Sequence, residues 1–203
     1  MVTMKAGVRV LGALLAAAVF ATVPVTAGAV EEWLWGASYQ VSFAQGNTSD
    51  FISKTSWRGL GLDGRRFVDE WTSVGLAISW NVFHDRAYRT SPIEDGAVSG
   101  TQFRDINALP ILVTAHRYFG DRYGWRPFVG GGVGVMYMDQ RVDIGLFRLS
   151  QDHWAFALAP EVGIQFPYDR FLGYLAARWN YSAPTSTLPY QSYATILVGF
   201  GLR

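Results

Sequence analysis

Five ionisable residues stand inside stretches that are otherwise apolar or small: Asp63, Arg65, His116, Glu161 and Arg178. A carboxylate beside a histidine suits general acid–base work, and a serine added to that pair makes a hydrolase triad. A carboxylate beside an arginine suits a buried counter-charge instead. The other two histidines, His84 and His153, carry no paired serine signature. Three scattered histidines and no cysteine offer no metal-ligand spacing, so neither a metal nor a cofactor is expected. The run GGGVG at 130–134 lacks the Lys-Ser/Thr of a phosphate loop and sits inside a strand pattern. Glycine there points to sharp bending or close packing of strands.

The elements that carry these residues have a period of two. In 153–166 every second residue is apolar, from Trp154 through Phe156, Leu158, Pro160, Val162 and Ile164 to Phe166. The alternate positions are small or polar, with Glu161 the one carboxylate. Helical spacing would wrap the apolar set around the whole cylinder, so the segment is a strand. The same alternation predicts strands at 33–44, 56–67, 72–83, 107–118, 126–140, 171–181 and 192–203. In the second strand Leu60 and Leu62 share one face, and Trp57, Asp63 and Arg65 the other. Pro160 has no N–H for a ladder, which predicts a local break or bulge beside it.

The connections alternate in length. Long ones fall at 46–55, 84–106, 139–151 and 182–191, and tight turns near 68, 120 and 167. The long polar connections read as loops. With a tight turn at 167–170, Glu161 is expected near Ala176, with Arg178 on the diagonal. Aromatics collect at strand ends. Trp33, Trp71, Trp125, Phe166 and Phe171 gather on the turn side, and Trp80, Tyr137, Trp154 and Trp179 on the loop side. These are two candidate girdles.

Composition decides which face points out. The chain of 203 residues is 50% hydrophobic and only 16% charged, against about 25% charged in soluble domains. The face opposite the apolar one is nearly all Gly, Ala, Ser, Thr, Asn and Gln in strands one, three, five, six and eight. That face is too small and uncharged for a wet exterior, which argues against a secreted barrel of lipocalin type. It fits a narrow interior, with the apolar face toward lipid. The expected fold is all-β: an eight-stranded antiparallel transmembrane barrel with up-and-down connections.

The first segment predicts export. Lys5 and Arg9 precede an apolar run at 10–23, and Ala27-Gly28-Ala29 is a small-x-small cleavage site. Residues 1–29 are expected to be a cleaved signal peptide, with the barrel domain at 30–203. Without Lys5 and Arg9, 15 of the 17 basic residues face 16 acidic ones. That balance gives no electrostatic case for binding nucleic acid.

The phrases SWRGLGLDGRRF…SVGLAISWNVF, RPFVGGGVGV, LAPEVGIQF and the closing LVGFGLR resemble the small eight-stranded outer-membrane β-barrel proteins of the OmpA/OmpX/OmpW-like group. The resemblance covers 30–203. It implies residence in a Gram-negative outer membrane, contact with lipid and lipopolysaccharide, a monomer, and a C-terminal aromatic; here Phe200 precedes Leu202-Arg203. It also implies a role as a membrane anchor whose outer loops, above all 84–106 and 139–151, meet an extracellular protein or ligand. The alternative is a small channel or a route for small or hydrophobic solutes. Glu161 with His116 is similar to part of the Ser/His/Glu set of outer-membrane lipid A deacylases. The His-x-Ser arrangement of those enzymes is absent, since Arg117-Tyr118 follows His116, and the expectation is a protein that is not an enzyme.

Overall fold

The structure, a computed structural model, describes residues 33–93, 96–121, 123–144, 147–168, 171–186 and 188–202. The expected signal peptide lies outside them. Eight strands run in order: β1 (Trp33–Gln45), β2 (Ser56–Phe67), β3 (Thr72–Ile93), β4 (Gly96–Tyr118), β5 (Arg126–Ile144), β6 (Phe147–Tyr168), β7 (Phe171–Ser182) and β8 (Gln191–Leu202). One short helix, α1 (Asn47–Phe51), follows β1. Each strand pairs antiparallel with the next, and β8 returns to β1, so the sheet closes as an up-and-down barrel.

Alternation follows the pleat. In β7 the burial pattern swings with period two along the whole strand. The outward set includes Leu60, Leu62, Ile78, Val133, Phe156, Val162, Val198 and Phe200, all exposed. An apolar belt of this extent is foreign to a soluble monomer and matches a surface solvated by lipid. The interior is bulkier than the small-residue faces imply. Two apolar clusters fill it: Leu34, Phe67, Tyr118, Phe128, Leu172, Ala176 and Leu197 toward the turns, and Ile52, Phe83, Ile106, Leu112, Met136, Met138 and Tyr193 toward the loops. The glycine run of β5 makes room for its neighbours. A Cβ on Gly130 would fall onto the Ala115 carbonyl oxygen, and one on Gly134 onto that of Ile111.

Three expectations are corrected. First, 84–106 and 139–151 are not loops. β3 and β4 stay paired from Thr72↔Arg117 to Ile93↔Gly96, and β5 and β6 from Arg126↔Gln165 to Ile144↔Phe147. A tilted strand crosses the hydrocarbon in about 9–11 residues, whereas β3 and β4 have 22 and 23. Beyond the belt neither face need be apolar, so the alternation that marks a strand disappears while the ladder continues. Second, Trp57 points outward at 67% exposure. The β1–β2 register shifts between Gln40 and Ser42, which turns Trp57 out of the phase of Asp63 and Arg65. Third, Glu161 pairs directly with Arg178, and Ala176 with Gly163. The turn is tighter than supposed, with Tyr168 opposite Phe171. The break expected beside Pro160 is present, without a bulge. The β6–β7 ladder lacks pairs between Leu158↔Tyr181 and Glu161↔Arg178 yet resumes in the same register. The β3–β4 ladder shows the same interruption between Ile78↔Ile111 and Asn81↔Ala108, beside inward-facing Pro110.

Candidate functional site

Asp63 and Arg65 share a face of β2 because they are two apart, and the barrel brings that face toward β4, β6 and β7. All five sequence-selected ionisable residues are buried there: Asp63, Arg65, His116, Glu161 and Arg178 are each 8% exposed or less. The Arg178 Nε donates to Glu161 Oε2 at 2.7 Å, with Nη2 at 2.5 Å from the same oxygen. Arg65 Nε donates to Asp63 Oδ2 at 2.9 Å, and its Nη2 lies 3.6 Å from Glu161 Oε1. Two carboxylates therefore face two guanidinium groups, and the layer is balanced without charging His116. The Phe128 and Tyr174 rings flank the Arg65 guanidinium at 5.6 and 5.5 Å.

Two tyrosines complete the layer that residue-by-residue reading left out. Arg65 Nη1 donates to the Tyr118 hydroxyl oxygen at 3.0 Å, and the Tyr174 hydroxyl donates to Asp63 Oδ1 at 2.8 Å. Their strand phase carried the signal: Tyr118 is two from His116, and Tyr174 is four from Arg178. His116 Nε2 stands 3.6 Å from Glu161 Oε1, and Ser73 sits directly opposite His116 in the β3–β4 register. Ser73, His116 and Glu161 are sealed in the interior, with Ser73 and His116 at 0% and 2% exposure. Among the described residues, no group of three or more metal-binding side chains converges.

Below the layer, Arg126 closes the turn-side mouth. Its Nη2 donates to the Glu70 carbonyl at 2.5 Å, and the Tyr118, Phe67 and Trp71 rings surround it at 4.9, 5.8 and 5.9 Å. Above the layer, α1 closes the loop-side mouth. Ile52 enters the core with no exposed surface. The Thr48 hydroxyl donates to Gln191 Oε1 at 2.8 Å and accepts from the Ser192 N–H at 3.0 Å, which ties α1 to β8. Arg104 donates to the Phe51 carbonyl at 3.1 Å while its guanidinium covers the Phe51 ring at 5.1 Å. An eight-stranded barrel leaves an interior just wide enough for side chains, and among the described residues the ionic layer and two apolar clusters lie in it.

Outside, the girdle residues lie at the two rims. Trp33, Trp71, Trp125, Phe166 and Phe171 are exposed on the turn side, and Trp125 meets Phe166 at 5.9 Å between ring centres. Trp80, Trp154 and Trp179 are exposed on the loop side, and half-buried Tyr137 meets Trp154 at 5.2 Å. Above them rises the β3–β4 hairpin. His84 Nδ1 and Asp105 Oδ1 are 2.5 Å apart, and Arg86 lies over the Phe103 ring at 5.2 Å. Lys54 reaches Asp85 at 3.0 Å from the α1 connection.

No protein-family model matches the chain, and no curated protein matches its sequence. Solved structures share its fold. Neisserial surface protein A is similar over 87% of this chain and 99% of its own, at 11% identity and a TM-score of 0.58. The attachment invasion locus protein Ail of Yersinia pestis is similar over 85% of this chain and 97% of its own, at 16% identity and a TM-score of 0.53. A second structure of Ail, in complex with the heparin analogue sucrose octasulfate, gives 17% identity and a TM-score of 0.52 over 87% of this chain and 99% of its own. The chain thus has the fold of the small eight-stranded outer-membrane β-barrel proteins.

Proposed function

We propose that the chain is an integral outer-membrane barrel of Gram-negative type that works without catalysis. It serves as a monomeric anchor in contact with lipid and lipopolysaccharide. The β3–β4 and β5–β6 hairpins, standing above the loop-side girdle, meet a protein or ligand outside the cell. The observation that carries this reading is an interior packed, among the described residues, with side chains under two long hairpins. A charge-balanced layer and two apolar clusters occupy the lumen, while the ladders of β3–β4 and β5–β6 continue far past the belt. A rigid scaffold that projects its longest segments to one side is where binding is ordinarily placed. By name, one structural neighbour is a surface protein and another an attachment invasion locus protein, which accords with that reading.

Planar-bilayer recording of the refolded chain tests it against the channel alternative, together with deletion of 86–104. The expected outcome is no unit conductance, with surface binding lost in the deletion variant while the barrel keeps heat-modifiable gel migration. Ion current that changes with Glu161→Ala or Arg178→Ala would establish the channel instead.

A further inference from the structure

The outer wall between β6, β7, β8 and β1 is not flush. The Ala183 N–H donates to the Phe156 carbonyl at 2.8 Å. Hydrogen-bonded pairs fall at every second residue of an antiparallel ladder, so Pro160 opposite Trp179 belongs to one. Pro160 has no N–H to give the Trp179 carbonyl, and the ladder is interrupted there. Beside this interruption a groove of about 490 Å³ opens on the outer face.

Its shape follows from side-chain size. Val162, Ala177 and Ile196 stand side by side on β6, β7 and β8, and Trp179, Ala194 and Phe43 on β7, β8 and β1. Each row runs large, small, large, and the two alanines are diagonal neighbours, so the rows join into an oblique trough. Its loop-side wall is fixed. The Trp179 indole N–H donates to Gln45 Oε1 at 3.0 Å, across β8. Tyr181 stacks on Trp179 at 5.7 Å, and Tyr190 on Tyr181 at 5.9 Å.

We propose that this groove binds one hydrocarbon chain of a membrane lipid, entered from the loop-side leaflet. The inference rests on the membrane orientation proposed above. The lining also includes Glu161 and Arg178, but both are buried on the lumen face and paired with each other; the outward-facing side chains carry no charge, and the indole N–H is already engaged by Gln45. The trough starts at the loop-side girdle and runs toward the belt, where hydrocarbon is the surrounding phase. Its volume admits on the order of fifteen groups of about 30 Å³ each, the scale of one chain. A second barrel is convex and would bridge the trough without entering it; a stable interface needs about 1,200 Å² or more.

The test is native mass spectrometry of the full chain, released from nanodiscs containing phosphatidylethanolamine. Ala194→Phe fills the trough, and Val133→Phe makes the same lipid-facing type of change on β5. Heat-modifiable migration checks that each variant is folded. The wild type and Val133→Phe are expected to retain one phospholipid, and Ala194→Phe to lose about tenfold or more of that retention. The proposal is overturned by a wild type that retains no lipid, by equal retention in Ala194→Phe, or by a wild-type dimer that Ala194→Phe converts to monomer. A folded, membrane-inserted chain that fails these tests removes the groove alone; a chain that never enters membranes removes the anchor reading as well.

Discussion

On the turn side of the lumen, Asp63, Arg65, Glu161 and Arg178 hold one another within hydrogen-bonding or ion-pair distance, braced by Tyr118 and Tyr174. On the loop side, Ile52, Phe83, Ile106, Met136, Met138 and Tyr193 form an apolar cluster under α1, and the buried ionisable residues of that half, Asp85, Asp139 and His153, lie outside it. The two halves should fail differently. A buried ion layer is intolerant of losing one member, because the remaining charges have no water to turn to. An apolar plug degrades in proportion to the volume removed. The turn side should therefore respond sharply to single substitutions and the loop side by degrees.

The sharpest way to break the comparison is Glu161→Ala. It strands Arg178 and weakens the hold on Arg65, and is expected to cost about 3–5 kcal/mol, read as the urea midpoint of refolded barrel in micelles. Replacing the pair together by Glu161→Leu with Arg178→Leu should recover most of that loss. Ile52→Ala probes the other half. It should cost about 2 kcal/mol, the low end for a buried aliphatic side chain, because α1 sits on an open mouth and can settle. It should leave the bilayer conductance at the wild-type level, since the charged layer is untouched.

Pro160→Ala returns an N–H opposite the Trp179 carbonyl and is expected to stabilise by about 1 kcal/mol, seen as a rise in the same midpoint. The smallest effect belongs to the turn between β2 and β3. Slight burial pushes the Asp69 carboxyl up, but the Trp71 and Thr72 hydrogen bonds and the Arg117 charge outweigh it and hold it below the usual carboxylate range. A depressed carboxylate adds stability above its unfolded pKa of about 3.9 and loses it as pH falls through the folded value. Asp69→Asn should therefore lower stability slightly at neutral pH, and the gap from wild type should close on acidification below about pH 4.

Where one face must be apolar, the strands were legible as residues. The alternation in 153–166 located β6, its facing and the inward direction of Glu161. Legibility ended where that requirement ended. Residues 84–93 and 96–106 have no sustained apolar–polar alternation in sequence, so nothing in their pattern separated a paired hairpin from a loop. Register was the other gap. The ionic layer was visible as five inward residues, yet its true pairing depended on how tightly β6 turns into β7. Trp57 was misplaced because one irregularity in the β1–β2 register reverses facing, and no residue type announces it. Pro160 signalled a ladder defect correctly, but the groove beside it depends on Ala177 and Ala194 meeting across strands that are apart in sequence.

The apolar face of this barrel points outward, inverted relative to a soluble barrel. The chain has no native cysteine, so nitroxide labels can be placed singly at Leu62, Ile78 and Val198, all exposed and all in the belt. Collision rates of these labels with oxygen and with a water-soluble nickel chelate, in reconstituted vesicles, test the claim directly. The account predicts high oxygen and low nickel accessibility at all three sites. Free collision with the nickel chelate would place these faces in water and contradict it.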